Sequence, residues 1–388
     1  MTDGFDGTAG SLSALPDFVL ERFFDRFEFA HPFQLGSSDP ETLSLTELLD
    51  DYADDEGRER WAALTLGYRT AAGDPELRAA IAATYRGRTA DDVVVTAGAS
   101  EALLLTFAAT VRPGDRVVAL TPAYQSLVEV PRALGARLEP IELRAAEGWR
   151  FPLQRLLDAL QPGVTLLALN VPHNPTGATL DPEQLGRVVE RCERLGIRIL
   201  GDEVYRGLEW ASATPPSVTE ISERACAIGV TSKVYGLAGL RIGWIVTRDA
   251  GLRRRIVALK DYTSLCASAP SEVLATVALR AHVRLRDRTR VRCLSNMQHL
   301  DAFVAAHPGL LEWRHPAAST VALVRLAPPL LERHDGDPER VLAAWRERAG
   351  VVVAPGAAFG APAEWFRLGF GRADLPGALE ALAEAVAG

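Results

Sequence analysis

The sequence predicts an α/β fold: a mostly parallel sheet flanked by helices, with a smaller α+β unit toward the C-terminus. Two patterns carry that expectation. Short β-branched runs alternate with helical stretches between residues 76 and 247, and after residue 272 the chain turns helix-rich with two late strand signals. Parallel strands need long crossovers, and helices in those crossovers cover both faces of the sheet. With 388 residues, 48% of them hydrophobic and 24% charged, the chain can fill a large core but exceeds one compact unit. The expected division is an arm and part of a small domain over 1–45, a large ligand-binding domain over 46–272 and a small domain over 273–388.

Along the chain, residues 1–20 read as a loosely held arm. VLERFFDRFEF follows as a charged amphipathic piece, then the turn-rich FQLGSSDPETLS and a helical pattern near 45–56. ELRAAIAATY at 76–85 has apolar residues on a helical period. DVVVTAG is a strand that stops at glycine, and ASEALLLTFAATV reads as a helix with a serine available as its cap. Further strands are expected at DRVVAL, 138–143, TLLALN, IRILGDE, ACAIGV and IGWIVT. Between them, TPAYQSLVEVPRALG reads as loop and helix, and DPEQLGRVVERCERLG as a marked helix. The arginines at 280, 284, 286, 288, 290 and 292 read as a solvated helix face. STVALVRLA and WFRLGFG give strands to the smaller unit, and a helix from Leu375 closes the chain.

The formal charge of −8 argues against a general nucleic-acid binder, and no segment is left over for a DNA-binding module. The N-terminus carries acids and no basic flank before an apolar run, unlike a signal peptide. Apolar stretches fall well short of membrane-spanning length. Cys192, Cys226, Cys266 and Cys293 show no metal-site spacing and read as reduced thiols in a cytoplasmic protein, with no metal expected.

Four segments hold residues suited to chemistry. In TSKVYGLAGLRIGW (231–244), Lys233 sits in a glycine-bearing loop between two apolar strands. Burial there would lower its pKa and free the amine for Schiff-base chemistry, whereas a lone exposed lysine is only a point charge. Ser232 and Arg241 suit a phosphate. In NVPHNPTG (170–177), prolines and glycine make a rigid turn at a strand end, where Asn174 either caps the turn or donates to a ligand oxygen. GDEVYRG (201–207) ends a hydrophobic strand in acids: Asp202 suits a protonated ring nitrogen and Tyr205 a phenolate, or the acids are merely solvated. In TAGASEA (96–102), a strand passes through Gly98 into a helix whose first N–H groups, at Ala99 and Ser100, would meet a phosphate.

Together and in this order, the four segments resemble the class I/II aminotransferases, the fold-type-I enzymes dependent on pyridoxal 5'-phosphate. The resemblance runs over roughly residues 30–385 and implies a seven-stranded, mostly parallel sheet. It implies that Lys233 forms the Schiff base, that Asp202 partners the pyridine nitrogen, and that Tyr205 and Asn174 bond the ring oxygen. Tyr124, in TPAYQS, matches the aromatic stacked on the ring, and Gly98, Ala99, Ser100, Ser232 and Arg241 match the phosphate cup. Arg367, in WFRLGFG, matches the clamp on the substrate α-carboxylate, with Gly36 and Asn174 beside it. Tyr68, in GYRTAAGDPELR, matches a tyrosine donated to the phosphate by the neighbouring subunit of a homodimer with shared sites.

There are departures. Val230 stands where many relatives carry a serine, three residues before the lysine, which removes one phosphate hydroxyl. His173 replaces an asparagine common in relatives, and SSDPETLS at 37–44 is unusual for broad-range transaminases and suits a specialised pocket. The expected activity is transfer of an amino group from an L-amino acid to a 2-oxo acid, with Lys233 as acid and base in turn. The alternative is elimination, replacement or ring closure on a modified amino acid, as in the capreomycidine-forming cyclases of natural-product pathways. A nicotinamide-dependent oxidoreductase is a third class, but Gly-x-Gly-x-x-Gly is missing after the first strand.

Overall fold

The computed structural model describes residues 10–210 and 212–387. The larger sheet has seven strands: β1 (Val93–Thr96), β2 (Arg116–Thr121), β3 (Arg137–Glu142), β4 (Val164–Asn170), β5 (Arg198–Asp202), β6 (Cys226–Val230) and β7 (Gly243–Val246). Their order is β1-β7-β6-β5-β4-β2-β3, parallel except for β7, which runs against both of its neighbours. Apart from the edge strand β3, the strands read as largely apolar runs because both faces are covered. Successive side chains go to opposite cores. Val93 and Val95 join one and Val94 the other, and Leu167 and Leu169 part from Leu166 and Ala168 in the same way.

This topology fixes one functional edge. The C-termini of the parallel strands lie side by side, so Asn170 is paired with Asp202 across β4 and β5. Because β7 is reversed, its first residue, Gly243, sits opposite Val230 at the end of β6 and Thr96 at the end of β1. Every loop that follows these ends opens on the same side, where ligands of open α/β sheets bind.

A smaller antiparallel sheet, ordered β10-β11-β9-β8, consists of β8 (Leu311–Glu312), β9 (Val321–Leu326), β10 (Ala354–Pro355) and β11 (Trp365–Gly369). Its core is closed by helices 282–306, 338–349 and 375–387, through Leu300, Leu342, Trp345 and Leu379 among others. Residues 33–36 join it, through a parallel bridge from Phe33 to Val351 and a hydrogen bond from Gly36 N to Val352 O at 2.7 Å.

Three expectations need correction. The part of the N-terminal arm within the described residues is held rather than loose, while residues 1–9 lie outside them. Ser11 N donates to Ala133 O at 2.7 Å, and Gln125 takes the N–H of Val19 at 2.9 Å and donates to Asp17 O at 2.8 Å. Ser100 is not the cap of helix 99–110. Gly98 is, without a side-chain hydrogen bond, so the first N–H groups stay free. The arginine run is more than a solvated face: Arg280 pairs with Asp54, Glu56 and Glu76. Arg288 donates to Glu41 O, and Arg290 to the carbonyls of Gly207 and Glu209 while lying over Trp210.

Candidate active site

The strand ends form the floor of a cavity of about 680 Å³. Asn170, the last residue of β4, donates from Nδ2 to Asp202 O at 3.1 Å and accepts the N–H of Asn174 at 2.7 Å. It thereby ties the turn 171–177 to β5, a positioning role absent from the sequence-based site. Asp202 closes β5 and is only 5% exposed. Burial pushes its carboxyl up to about 7, opposed by the Val204 N–H and the nearby Lys233. Tyr205, on the turn after β5, is fully buried, and burial raises its phenol to about 12. Its Oη lies near Ser38 yet has no hydrogen-bond partner of acceptable geometry among the described residues.

Lys233 follows β6 by three residues and donates from Nζ to Ser38 Oγ at 2.7 Å. Burial lowers its pKa, partly offset by Asp39. Ser232 Oγ is buried and unpartnered among the described residues. Beside it, Gly98 has φ +88°, and a Cβ there would lie 2.5 Å from Arg241 Nη2. The left-handed backbone favours glycine there, and a Cβ would have to push the guanidinium aside. Arg241 itself is held at φ +52°, a conformation costly for a residue with a Cβ. Gly243 is equally constrained, since its Cβ would meet the Gly98 carbonyl carbon at 2.5 Å. Arg241, Ser232 and the open N-terminus of helix 99–110 thus converge.

Arg367 reaches the cavity from β11 and is 2% exposed. Nη2 donates to Gly36 O at 2.7 Å and Nη1 to Asn174 Oδ1 at 3.1 Å, while Nε has no partner among the described residues. Its guanidinium lies 4.7 Å from the centre of the Phe359 ring. Gly36 must lack a side chain, because its Cβ would lie 2.7 Å from Ala354 N. Tyr124 lines the cavity with Oη 3.3 Å from Glu21 Oε1 and 3.4 Å from Ser100 Oγ, its ring tilted against Phe18. Burial raises its phenol to about 12.

One named residue stands apart. Tyr68 is 89% exposed and is not among the residues lining this cavity. Conversely, the cavity has a wall that the four motif segments did not reveal: Phe18, Glu21, Phe24 and Glu28 from helix 19–27 and its ends. Ser37, Ser38 and Asp39 complete it, from the SSDPETLS segment that the sequence marked as suited to a specialised pocket. The spacing of Glu21 and Glu28, two helical turns apart, is the one signal that would have paired them. His173 is not part of the lining. It is buried, held to Thr176 Oγ1 at 2.8 Å, and its pKa is pushed down to about 3 by burial.

A buried phenol and hydroxyl without partners, a buried carboxyl, a half-buried amine and a glycine-lined guanidinium fit one cofactor type. That type is a planar pyridinium ring bearing a phenolic oxygen, an aldehyde carbon and a phosphate. The fold and this arrangement define a pyridoxal-phosphate-dependent enzyme of fold type I. The family model for aminotransferase class I and II matches residues 30–385, and the chain belongs to that family. Capreomycidine synthase from Streptomyces vinaceus is 35% identical over 318 residues, covering 80% of this chain and 79% of that protein. A crystal structure of a PLP-dependent aminotransferase from Streptococcus suis superposes with a TM-score of 0.88 at 28% identity, over 96% of this chain and 98% of that one. The PLP-dependent cyclase OrfR superposes with a TM-score of 0.86 at 31% identity, over 95% and 96%. Among the described residues, no helix is long and apolar enough to cross a membrane.

Proposed function

We propose that the chain transfers an amino group from an L-α-amino acid to a 2-oxo acid. The observation that carries this reading is Arg367, a buried guanidinium with an unpartnered Nε in the cavity that also holds Lys233. A planar fork of that kind suits a carboxylate, the group shared by both substrates. Pyridoxal phosphate, when bound, supplies an electron sink for the bond broken at the α-carbon.

The chain's residues would do the rest. Asp202 would hold the ring nitrogen, with Tyr205 and Asn174 on the ring oxygen and Tyr124 on the ring face. Ser232, Arg241 and the N–H groups of Ala99 and Ser100 would hold the phosphate, despite the hydroxyl lost at Val230. Asp202 rises to about 7 through burial, so a cation beside it would draw it back to the charged form. Lys233 Nζ is kept largely out of water, which favours its neutral form and lets it take and return the α-proton. The exposed Tyr68 would complete the phosphate site of a second copy in a homodimer.

A second reading is favoured by two of the similarities, to capreomycidine synthase and to the cyclase OrfR: ring closure or elimination from the same α-deprotonated substrate. Incubation of the holoenzyme with amino donors, with and without oxo acids, and mass analysis of products separates the two. Stoichiometric conversion of donor to oxo acid and of acceptor to amino acid supports transfer. Cyclic product, or water or ammonia released without an acceptor, contradicts it.

A further inference from the structure

We propose that the cavity selects an α-amino acid whose side chain ends in a cation, a guanidinium or an ammonium, through Glu28 and Glu21 of the N-terminal wall. The inference rests on the assignments of Lys233 to the cofactor and Arg367 to the α-carboxylate, and it names the substrate class of that site.

Charge around this one cavity is unbalanced. Its bases are Lys233, Arg241 and Arg367, and each already has a partner under those assignments: the cofactor carbon, the phosphate and the α-carboxylate. Among its acids, Asp202 faces the ring nitrogen, Asp39 pairs with Arg372 at 3.0 Å, and Glu129 pairs with Arg132. Glu21 and Glu28 remain. Glu21 only accepts a hydrogen bond from Tyr124 Oη at 3.3 Å, and the Glu28 carboxylate makes no ion pair with the described residues. Burial raises the pKa of Glu28, Arg372 opposes that, the negative charges of Asp39 and Glu21 add to it, and Lys233 opposes it weakly. Carboxylates crowded on a half-buried wall repel one another until a cation enters.

The shape of the wall agrees with this charge. Helix 19–27 turns Leu20, Glu21 and Phe24 toward the cavity, with Glu28 as its C-cap, and Phe18 precedes it. Aromatic and aliphatic surface beside two carboxylates suits a methylene stem ending in a positive head. A second, independent feature points to a polar ligand. Ser37 Oγ lines the same cavity, is 5% exposed, and has no hydrogen-bond partner among the described residues. It offers an acceptor to an N–H of the incoming cation. None of these residues is needed to hold the cofactor, so they are free to set specificity.

The test is calorimetric binding to the holoenzyme of α-methyl amino acids, which lack the proton that Lys233 would remove. α-Methylarginine is compared with α-methylcitrulline, which keeps its shape without the charge, and α-methyllysine with α-methylnorleucine. Wild type should bind at least one cation about tenfold or more tightly than its neutral counterpart. The pair with the larger ratio identifies guanidinium or ammonium. Glu21→Gln combined with Glu28→Gln should erase the ratio by weakening the cation, leaving the neutral ligand within about twofold of wild type. Glu28→Gln alone, which spares the Glu21–Tyr124 contact, should reduce it. Equal binding of charged and neutral ligands by wild type, or a preference that survives the substitutions, overturns the inference. Cofactor loading is read separately. A holoenzyme labelled on Lys233 that binds neutral amino acids without preferring cations sinks only this inference, whereas absence of the Lys233 label sinks the assignment of the site as well.

Discussion

The floor of the cavity and its N-terminal wall are built in opposite ways. The floor is local: Asp202 ends β5, Asn170 ends β4, Lys233 follows β6 by three residues, and Gly98 caps the helix after β1. The wall is assembled at a distance. Val19 is held by Gln125, 106 residues away, and Ser38 meets Lys233 across 195 residues. Under the proposed assignments, the floor would carry the groups that any amino acid substrate needs, and the wall those that distinguish one side chain from another. General chemistry would then be anchored on the rigid sheet, and specificity on a segment that docks against it.

Substitutions on the floor should have the largest effects. Lys233→Ala should lower kcat by about 10³-fold or more, since a general acid–base group is worth up to roughly 10⁴. Cofactor should still bind non-covalently through Arg241 and Ser232, which equilibrium dialysis would show. Arg367→Lys should weaken every α-amino acid by about 1.5–3 kcal/mol, whatever its side chain. The corresponding amines lacking the carboxylate should bind as they do to wild type. Equal losses for acid and amine would move the carboxylate clamp elsewhere.

Asp202 gives a prediction whose sign depends on the cofactor. Its carboxyl is raised from 3.8 to about 7 by burial, so in cofactor-free protein its contribution to stability is full below pH 4 and lost as pH rises through 7. Cofactor-free Asp202→Asn should therefore be more stable than wild type by about 1–3 kcal/mol at pH 8 and nearly equal to it at pH 4. Denaturant melts at the two pH values check this. With cofactor bound the order should reverse, because the carboxylate then faces a cation.

On the wall, Gln125→Ala removes the bonds to Val19 N and Asp17 O. It should weaken substrate binding about twofold to fivefold while cofactor retention stays at wild-type level. Loss of cofactor as well would erase the division between floor and wall. An effect of comparable size is expected at Tyr68, exposed in the single chain: Tyr68→Phe should loosen cofactor by about 1 kcal/mol in the dimer, measured by dialysis beside light scattering. A fully active monomer would refute a site shared between copies.

The same contrast explains what the sequence disclosed. The strands of the large sheet other than the edge strand β3 announce themselves as largely apolar runs, and the floor residues lie in or just beyond those runs, so their edge was legible. Arg367 was found only through resemblance, because nothing local to WFRLGFG tells that its guanidinium meets Gly36 O and Asn174 Oδ1. Glu21 and Glu28 lie in VLERFFDRFEF, which reads only as a charged amphipathic piece, and the docking of that helix turns them toward the cavity. Ser100 was misread as a cap because serine favours that position. Gly98 occupies it instead, where a side chain would strike Arg241.

Lys233 should carry pyridoxal phosphate just beyond the end of β6, and one measurement tests this most directly. The purified holoenzyme is reduced with borohydride, digested, and its peptides are mapped by mass spectrometry. A pyridoxyl group on Lys233 and on no other lysine is the expected result. A label on Lys260, or no covalent label in protein that nonetheless turns over amino acids, would contradict the account.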